Sequence, residues 1–201
     1  MQLSNQNVFA LLFLSLVAVP ATCSADDWPQ WRGIARDGVW NETGIRDDLP
    51  NGQLPLDWSV EIGPGYTGPT VAAGRVYVMD RIGEERNASE RVLCFDSGSG
   101  KSLWTHIYPA VYRSIGYSAG PRASVTIHDG KAFAVGAMGH FHCLDANTGT
   151  VIWKRDLQTD YEINMPGWGI AASPFVYGDL VIQQVSGANG ACMVAFHLTN
   201  G

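Results

Sequence analysis

Charge is the scarcest ingredient of this chain. Only 16% of its residues are Asp, Glu, Lys or Arg, and the formal balance is −6 at pH 7. No cluster of Lys and Arg occurs, which excludes an extended nucleic-acid interface or an anionic-membrane surface, because both need concentrated positive charge. Familiar catalytic signatures are also missing. The chain has no Ser-His-Asp order, no glycine-rich phosphate loop and no paired-carboxylate site. Long apolar runs are equally rare. The run at residues 8–21 is too short to cross a bilayer comfortably, so no transmembrane span is expected in the mature chain. Small residues Thr22-Cys23-Ser24-Ala25 and acidic Asp26-Asp27 follow it, the pattern of a secretory signal cut after Ala25. Residues 1–25 are thus expected to be a signal peptide. The product is expected to be exported: periplasmic, outer-membrane-associated or extracellular.

Cysteine is scarce too, at four residues. Cys94 and Cys143 occupy one repeat position that holds Ala195 in a third copy, which suits a small buried thiol filling a packing slot. Equivalent positions in neighbouring units lie too far apart to bridge, so disulfides are not expected. What is plentiful is glycine, at 23 residues, together with 10% aromatics. Many turns and few charges favour an all-β protein over a helical one.

The turns are organised by a repeat. Val92–Trp104 returns 49 residues later as Phe141–Trp153, with Asp, Gly and Trp at the same offsets: Asp96, Gly100, Trp104, then Asp145, Gly149, Trp153. A third copy runs from Met193 to Gly201, with His197 in place of the Asp. Each Asp can fold its carboxylate onto backbone N–H groups, and each Gly supplies the positive φ that ends the turn. The Trp is a large apolar plate able to lock one unit onto the next. These six residues read as a structural clasp. Leu56–Ile62, carrying Trp58, aligns with the outer strands at Trp104 and Trp153, spaced by 46 and 49 residues.

Before each clasp comes a hairpin, with turns at Ala73-Gly74, Gly130 and Gly178. Each unit therefore reads as four short antiparallel strands, and units of 40–50 residues built this way are propeller blades. The expected fold is an all-β propeller of four-stranded antiparallel blades, about two complete here with partial ones beside them. Residues 26–55 read as an extended arm with turns, whose Trp28 and Trp31 need cover; residues 56–201 read as the blades, truncated. A closed ring needs more blades than these. The chain is therefore expected to be the N-terminal part of a longer protein, with the Trp58 strand joining the last blade.

These repeats resemble the pyrroloquinoline quinone (PQQ)-like β-propeller family, whose tryptophan-docking motif reads much like Asp145-Ala146-Asn147-Thr148-Gly149 followed by Trp153. Asp27–Gly33 with Arg36-Asp37-Gly38 further resembles the start of secreted bacterial PQQ-like repeat proteins of the BamB-like kind. The resemblance implies about eight blades. For function it implies either a protein-interaction scaffold with a protein partner, or a quinoprotein dehydrogenase binding PQQ, of the alcohol- or sugar-oxidising type. Alcohol dehydrogenases of this family use a vicinal Cys-Cys pair and a calcium held by acidic and amide side chains. This chain has no Cys-Cys, and no calcium ligands can be assigned on it.

Candidate binding residues precede each inner strand. Tyr66, Tyr117 and Trp168 each follow a glycine and are spaced by 51 and 51 residues. In a propeller such loops gather at one channel mouth, where aromatics can stack a flat ligand such as a quinone or grip a peptide. The alternative is that each packs under its own loop. Arg122 in the second of these loops suits carboxylate recognition. His140-Phe141-His142 puts two imidazoles on one strand face, either a metal pair or ordinary strand surface, and too few ligands for zinc.

Overall fold

The computed structural model describes residues 25–45, 52 and 54–201. The expected signal segment, apart from Ala25, lies outside the described residues, as do residues 46–51 and 53 of the arm. No described helix is long and apolar enough to cross a membrane.

Three antiparallel sheets follow one another along the chain. The first blade comprises β1 (Thr70–Ala72), β2 (Arg75–Ile82), β3 (Ser89–Asp96) and β4 (Ser102–Pro109), paired in chain order. The second repeats it with β5 (Thr126–His128), β6 (Lys131–Val135), β7 (His140–Asp145) and β8 (Val151–Asp156). The third has β9 (Phe175–Tyr177), β10 (Leu180–Gln184) and β11 (Met193–His197). This is the nearly all-β, four-stranded antiparallel blade architecture that the repeat implied. Both complete blades shift register at the same repeat position, between Cys94 and Phe95 and between Cys143 and Leu144. Such a bulge bends the outer strand, and its recurrence makes it part of the blade design.

The hairpins differ in a way their residues explain. Ala73-Gly74 and Asp129-Gly130 both place two consecutive residues at positive φ, the primed turn that matches strand twist. At Gly178-Asp179 only the glycine does so, which is the related form with glycine first.

Residues 54–69 form no sheet pairing among the described residues, so the strand expected around Trp58 is absent. A strand exists only against a neighbour, and no described segment lies beside it. Instead, Trp58 is held by its own ring, as described below.

The arm contacts all three blades. Trp28 exchanges two backbone hydrogen bonds with Val71 of β1 (2.7 and 3.0 Å), and Pro29 O accepts from Ile127 N of β5 at 2.8 Å. Arg36 places its guanidinium 4.4 Å from the ring centre of Phe175 on β9. The arm thereby satisfies free backbone groups on the first strands of two blades, groups that would otherwise be open edges. Trp28 is half-buried, but Trp31 remains 54% exposed, in contrast to the cover expected for both. Its ring lies 3.6 Å from the position a Gly68 Cβ would take, so only one face is covered.

Most of the core lies in the two seams where blades pack, and a smaller cluster of Val78, Leu93 and Phe95 stands within the first blade. One apolar cluster joins Tyr77, Met79, Val92 and Cys94 of the first blade to Ala132, Ala134 and Leu144 of the second. The other joins Phe133, Phe141, Cys143 and Trp153 to Val181 and Phe196 of the third. Cys94 and Cys143 are free and buried, and burial pushes their thiols up to about 11 and about 12. They are inert packing residues.

Candidate functional site: an aromatic mouth between blade clasps

The clasp acts between units. Trp58, Trp104 and Trp153 each donate their indole N–H to a backbone carbonyl in the next blade: Ser97 (2.9 Å), Ala146 (3.0 Å) and Leu198 (3.1 Å). Each acceptor is the residue after Asp96, Asp145 or His197, so the geometry repeats three times. Each ring then lies flat on the glycine four residues after that position. A Cβ at Gly100, Gly149 or Gly201 would meet Trp58, Trp104 or Trp153 at 2.6, 2.6 and 2.8 Å. With φ of 69°, 73° and 73°, those positions require glycine for backbone shape as well as for space. The Asp96 carboxylate accepts from the hydroxyl and N–H of Ser99, and Asp145 accepts from Thr148 in the same way. These bonds lower both carboxyls below their ordinary value, with the Ser99 and Thr148 hydroxyls contributing most. His197 lacks the carboxylate, yet Gly201 N still donates to His197 O at 3.0 Å, so the backbone turn forms without it.

The three loops that precede the inner strands are tied to one another. Tyr66 N donates to Pro121 O (2.8 Å), and Gly116 N donates to Gly167 O (2.7 Å), so each loop is bonded to the next across a seam. This brings Tyr66, Tyr117, Arg122 and Trp168 together around one opening of about 340 Å³, with Ala171 completing the lining. Tyr117 and Trp168 stack with ring centres 4.9 Å apart and planes 20° apart. The aromatics remain 49%, 65% and 61% exposed in chain order, so they form a platform facing outward rather than packing beneath their loops.

Arg122 organises this platform. Its guanidinium donates to Gly116 O at 2.8 Å, to Tyr117 O at 2.7 Å and to Gly120 O, and its carbon lies 5.5 Å from the Tyr66 ring centre. Tyr117 has a φ of 54°, a left-handed conformation that is costly for a residue with a Cβ. The Arg122 bonds to Gly116 and Tyr117 hold it there.

Two features of this region escaped the sequence. Tyr112 lies between Arg81 (4.2 Å) and Arg122 (5.6 Å), supporting the loop from within. Its hydroxyl donates to Glu90, a fully buried carboxylate that also accepts from Tyr108 Oη (2.7 Å) and from Ala137 N of the second blade (3.0 Å). The available signal was that Glu90 shares its strand face with Val92 and Cys94, both core positions two and four residues on. Among the described residues, no three His, Cys, Asp or Glu side chains converge as a metal site.

Comparisons with known proteins agree with this architecture. The sequence profile described as outer membrane protein assembly factor BamB matches residues 88–201. Among solved structures, the quinohemoprotein alcohol dehydrogenase from Comamonas testosteroni matches at TM-score 0.64 and 25% identity, over 87% of this chain and 26% of its own. A europium-containing methanol dehydrogenase matches at TM-score 0.51 and 22% identity, over 73% of this chain and 25% of its own. BamB from Moraxella catarrhalis matches at TM-score 0.48 and 21% identity, over 71% and 37% of the two chains. The chain thus spans about a quarter of the length of the two dehydrogenases. Comparison with curated proteins finds no match. With its profile match covering more than half of the residues, the chain belongs to the PQQ-like repeat family described as outer membrane protein assembly factor BamB.

Proposed function

We propose that the chain is part of an exported propeller that works as a protein-interaction scaffold, taking an extended segment of a partner protein on the mouth formed by Tyr66, Tyr117 and Trp168. The observation that carries this reading is the exposed, pre-assembled aromatic platform, with Tyr117 and Trp168 already stacked. Rigid aromatics give a peptide large contact area at little entropic cost. Export rests on the apolar run at residues 8–21 and the small residues after it.

The similarity to the Comamonas testosteroni dehydrogenase supports a second reading, a quinoprotein oxidoreductase with PQQ at this mouth. The residues present do not fit that cofactor. PQQ carries three carboxylates, and a polyanion needs free cationic donors. Arg122, the cation lining this mouth, already donates to three backbone carbonyls, and the remaining lining is aromatic or alanine. Among the described residues, Cys94, Cys143 and Cys192 are separate free thiols and form no vicinal pair.

Two measurements on the full-length protein separate the readings. A photo-crosslinking residue at position 117 or 168 is expected to capture a discrete protein in the exporting cell. The same residue at Tyr177, exposed at the far end of β9, is expected to capture none. Saturable PQQ and calcium binding with dye-linked alcohol or aldose oxidation would overturn the scaffold reading.

A further inference from the structure

The seam between the first and second blades contains three imidazoles. His106 and Tyr108 lie two apart on β4, and His140 and His142 lie two apart on β7, so each pair shares a strand face. The faces meet: ring centres are 4.9 Å apart for His106 and His142, 4.3 Å for Tyr108 and His142, and 5.5 Å for Tyr108 and His140. His106 Nε2, His140 Nδ1 and His142 Nδ1 are all buried without a hydrogen-bond partner among the described residues. His142 is only 4% exposed.

Among the described residues no carboxylate hydrogen-bonds or ion-pairs with these rings, and the nearby ones are engaged elsewhere. Glu90, on β3, directs its carboxylate at Tyr108, Tyr112 and Ala137. From β8, Lys154 pairs in register with His142 and adds a positive charge. Arg155 and Asp156 line a cavity of about 440 Å³ together with His140 and His142, and Asp156, the register partner of His140, is occupied capping α1 (Leu157–Asp160) through Thr159. Burial accordingly pushes His142 down to about 3, with His106, His140 and Lys154 adding to the effect, and burial lowers His106 as well. His106 and His140 are half-buried, whereas His142 is 4% exposed, so protonating His142 requires the seam around it to loosen and admit water.

We propose that this seam is a proton-operated hinge: acid protonates His142, packed between His106 and Tyr108, and parts the first blade from the second, while the second and third stay together. The mouth reads the change out. The bond from Tyr66 N to Pro121 O and the contact of Arg122 with Tyr66 cross this seam, whereas the Tyr117–Trp168 stack crosses the other. Acid therefore detaches Tyr66 and leaves the stacked pair intact.

Hydrogen exchange on the full-length protein tests this, comparing about pH 7.5 with about pH 5 after correction for intrinsic rates. The Tyr66 and Ala137 amides, both donors across the first seam, are expected to open roughly thirtyfold more often at the lower pH. That is the factor for one imidazole released to its ordinary value. The Gly116 and Ser124 amides, donors across the second seam to Gly167 and Ser173, are expected not to respond. His142→Phe, an uncharged ring of similar size, removes most of the response, and Glu90→Gln raises opening equally at both pH values. Equal acid opening of both seams, or no opening, overturns the hinge. So does a response that survives His142→Phe and vanishes in Glu90→Gln. Should His142→Phe fail to fold, imidazole NMR of the unsubstituted protein decides. A His142 ring that titrates near its ordinary value without any change at the seam amides overturns the proposal.

Discussion

At the first seam Tyr108 meets His142, and a buried Glu90 carboxylate reaches across to Ala137 N. At the second seam the position equivalent to Tyr108, four residues after the clasp tryptophan, is the fully buried Leu157, and Val194 stands where His142 does. Leu157 packs with Ile163, Ile170 and Val185 in a cluster without histidine or carboxylate side chains. Both seams nevertheless carry the same clasp, tryptophan on glycine with one indole hydrogen bond. The clasp therefore sets the spacing of the blades, and what fills the seam behind it is free to vary. Polar filling has a narrow tolerance, because every buried donor and acceptor needs a partner. Apolar filling is tolerant of pH and intolerant of lost volume.

The difference is easiest to break at the tryptophans. Trp153 is 8% exposed and sits among Phe133, Phe141 and Phe196, with the Phe141 ring edge-on at 5.2 Å. Trp153→Ala is expected to destabilise the full-length protein by about 3–5 kcal/mol, the usual result of deleting a large buried aromatic. Trp104, which is half-buried and has Tyr77 as its aromatic neighbour, should cost less on the same substitution. Chemical denaturation of both variants checks the order. Equal losses would mean that the clasp, rather than the apolar cluster around it, supplies the stability.

Acid probes the opposite seam. The folded protein holds His142 at about 3 against an ordinary 6.5, so below 6.5 the unfolded chain takes up a proton that the folded chain refuses. Stability is complete above that value and declines as pH falls toward 3, by about 1.4 kcal/mol per unit for each such histidine. Denaturation between about pH 7 and pH 4.5 should show this slope, and His142→Phe should flatten it. The carboxyls of Asp96 and Asp145, lowered by their hydroxyl partners, add acid sensitivity of the same sign only near and below the ordinary carboxylate range. A slope unchanged by His142→Phe would assign the sensitivity to groups outside the first seam.

This contrast also marks what the amino-acid order made legible. The clasp was readable because Asp, Gly and Trp recur at fixed offsets, and periodicity is a one-dimensional signal. That each tryptophan serves the glycine of the following blade was less plain, since the partner lies about 45 residues away. The imidazole group was hidden for the same reason: His106 belongs to one repeat and His142 to the next, and neither has a counterpart one period away. His140 and His142 could be placed on one face, but not what that face meets. The strand around Trp58 failed differently, since alignment finds a repeat position and pairing needs a physical neighbour. The mouth aromatics were found by spacing, whereas the orientation of Arg122 was not. Its fork was expected to face a ligand and instead binds Gly116, Tyr117 and Gly120.

The smallest expected effect separates stability from binding across the two seams. Tyr117 crosses the second seam by stacking on Trp168, yet it sits at a φ of 54° that a glycine adopts without strain. Relief of that strain, worth about 1 kcal/mol, opposes the lost ring contact and the added chain entropy. Tyr117→Gly should therefore shift stability by no more than about 1 kcal/mol in either direction. The same change removes the centre of the aromatic platform, so crosslinking from position 168 should fall sharply while blade packing is retained. Were stability to drop as far as in Trp153→Ala, Tyr117 would be a seam residue in its own right. The exposed stack would then be part of the propeller's packing, and the partner's place would have to be sought elsewhere on the blades.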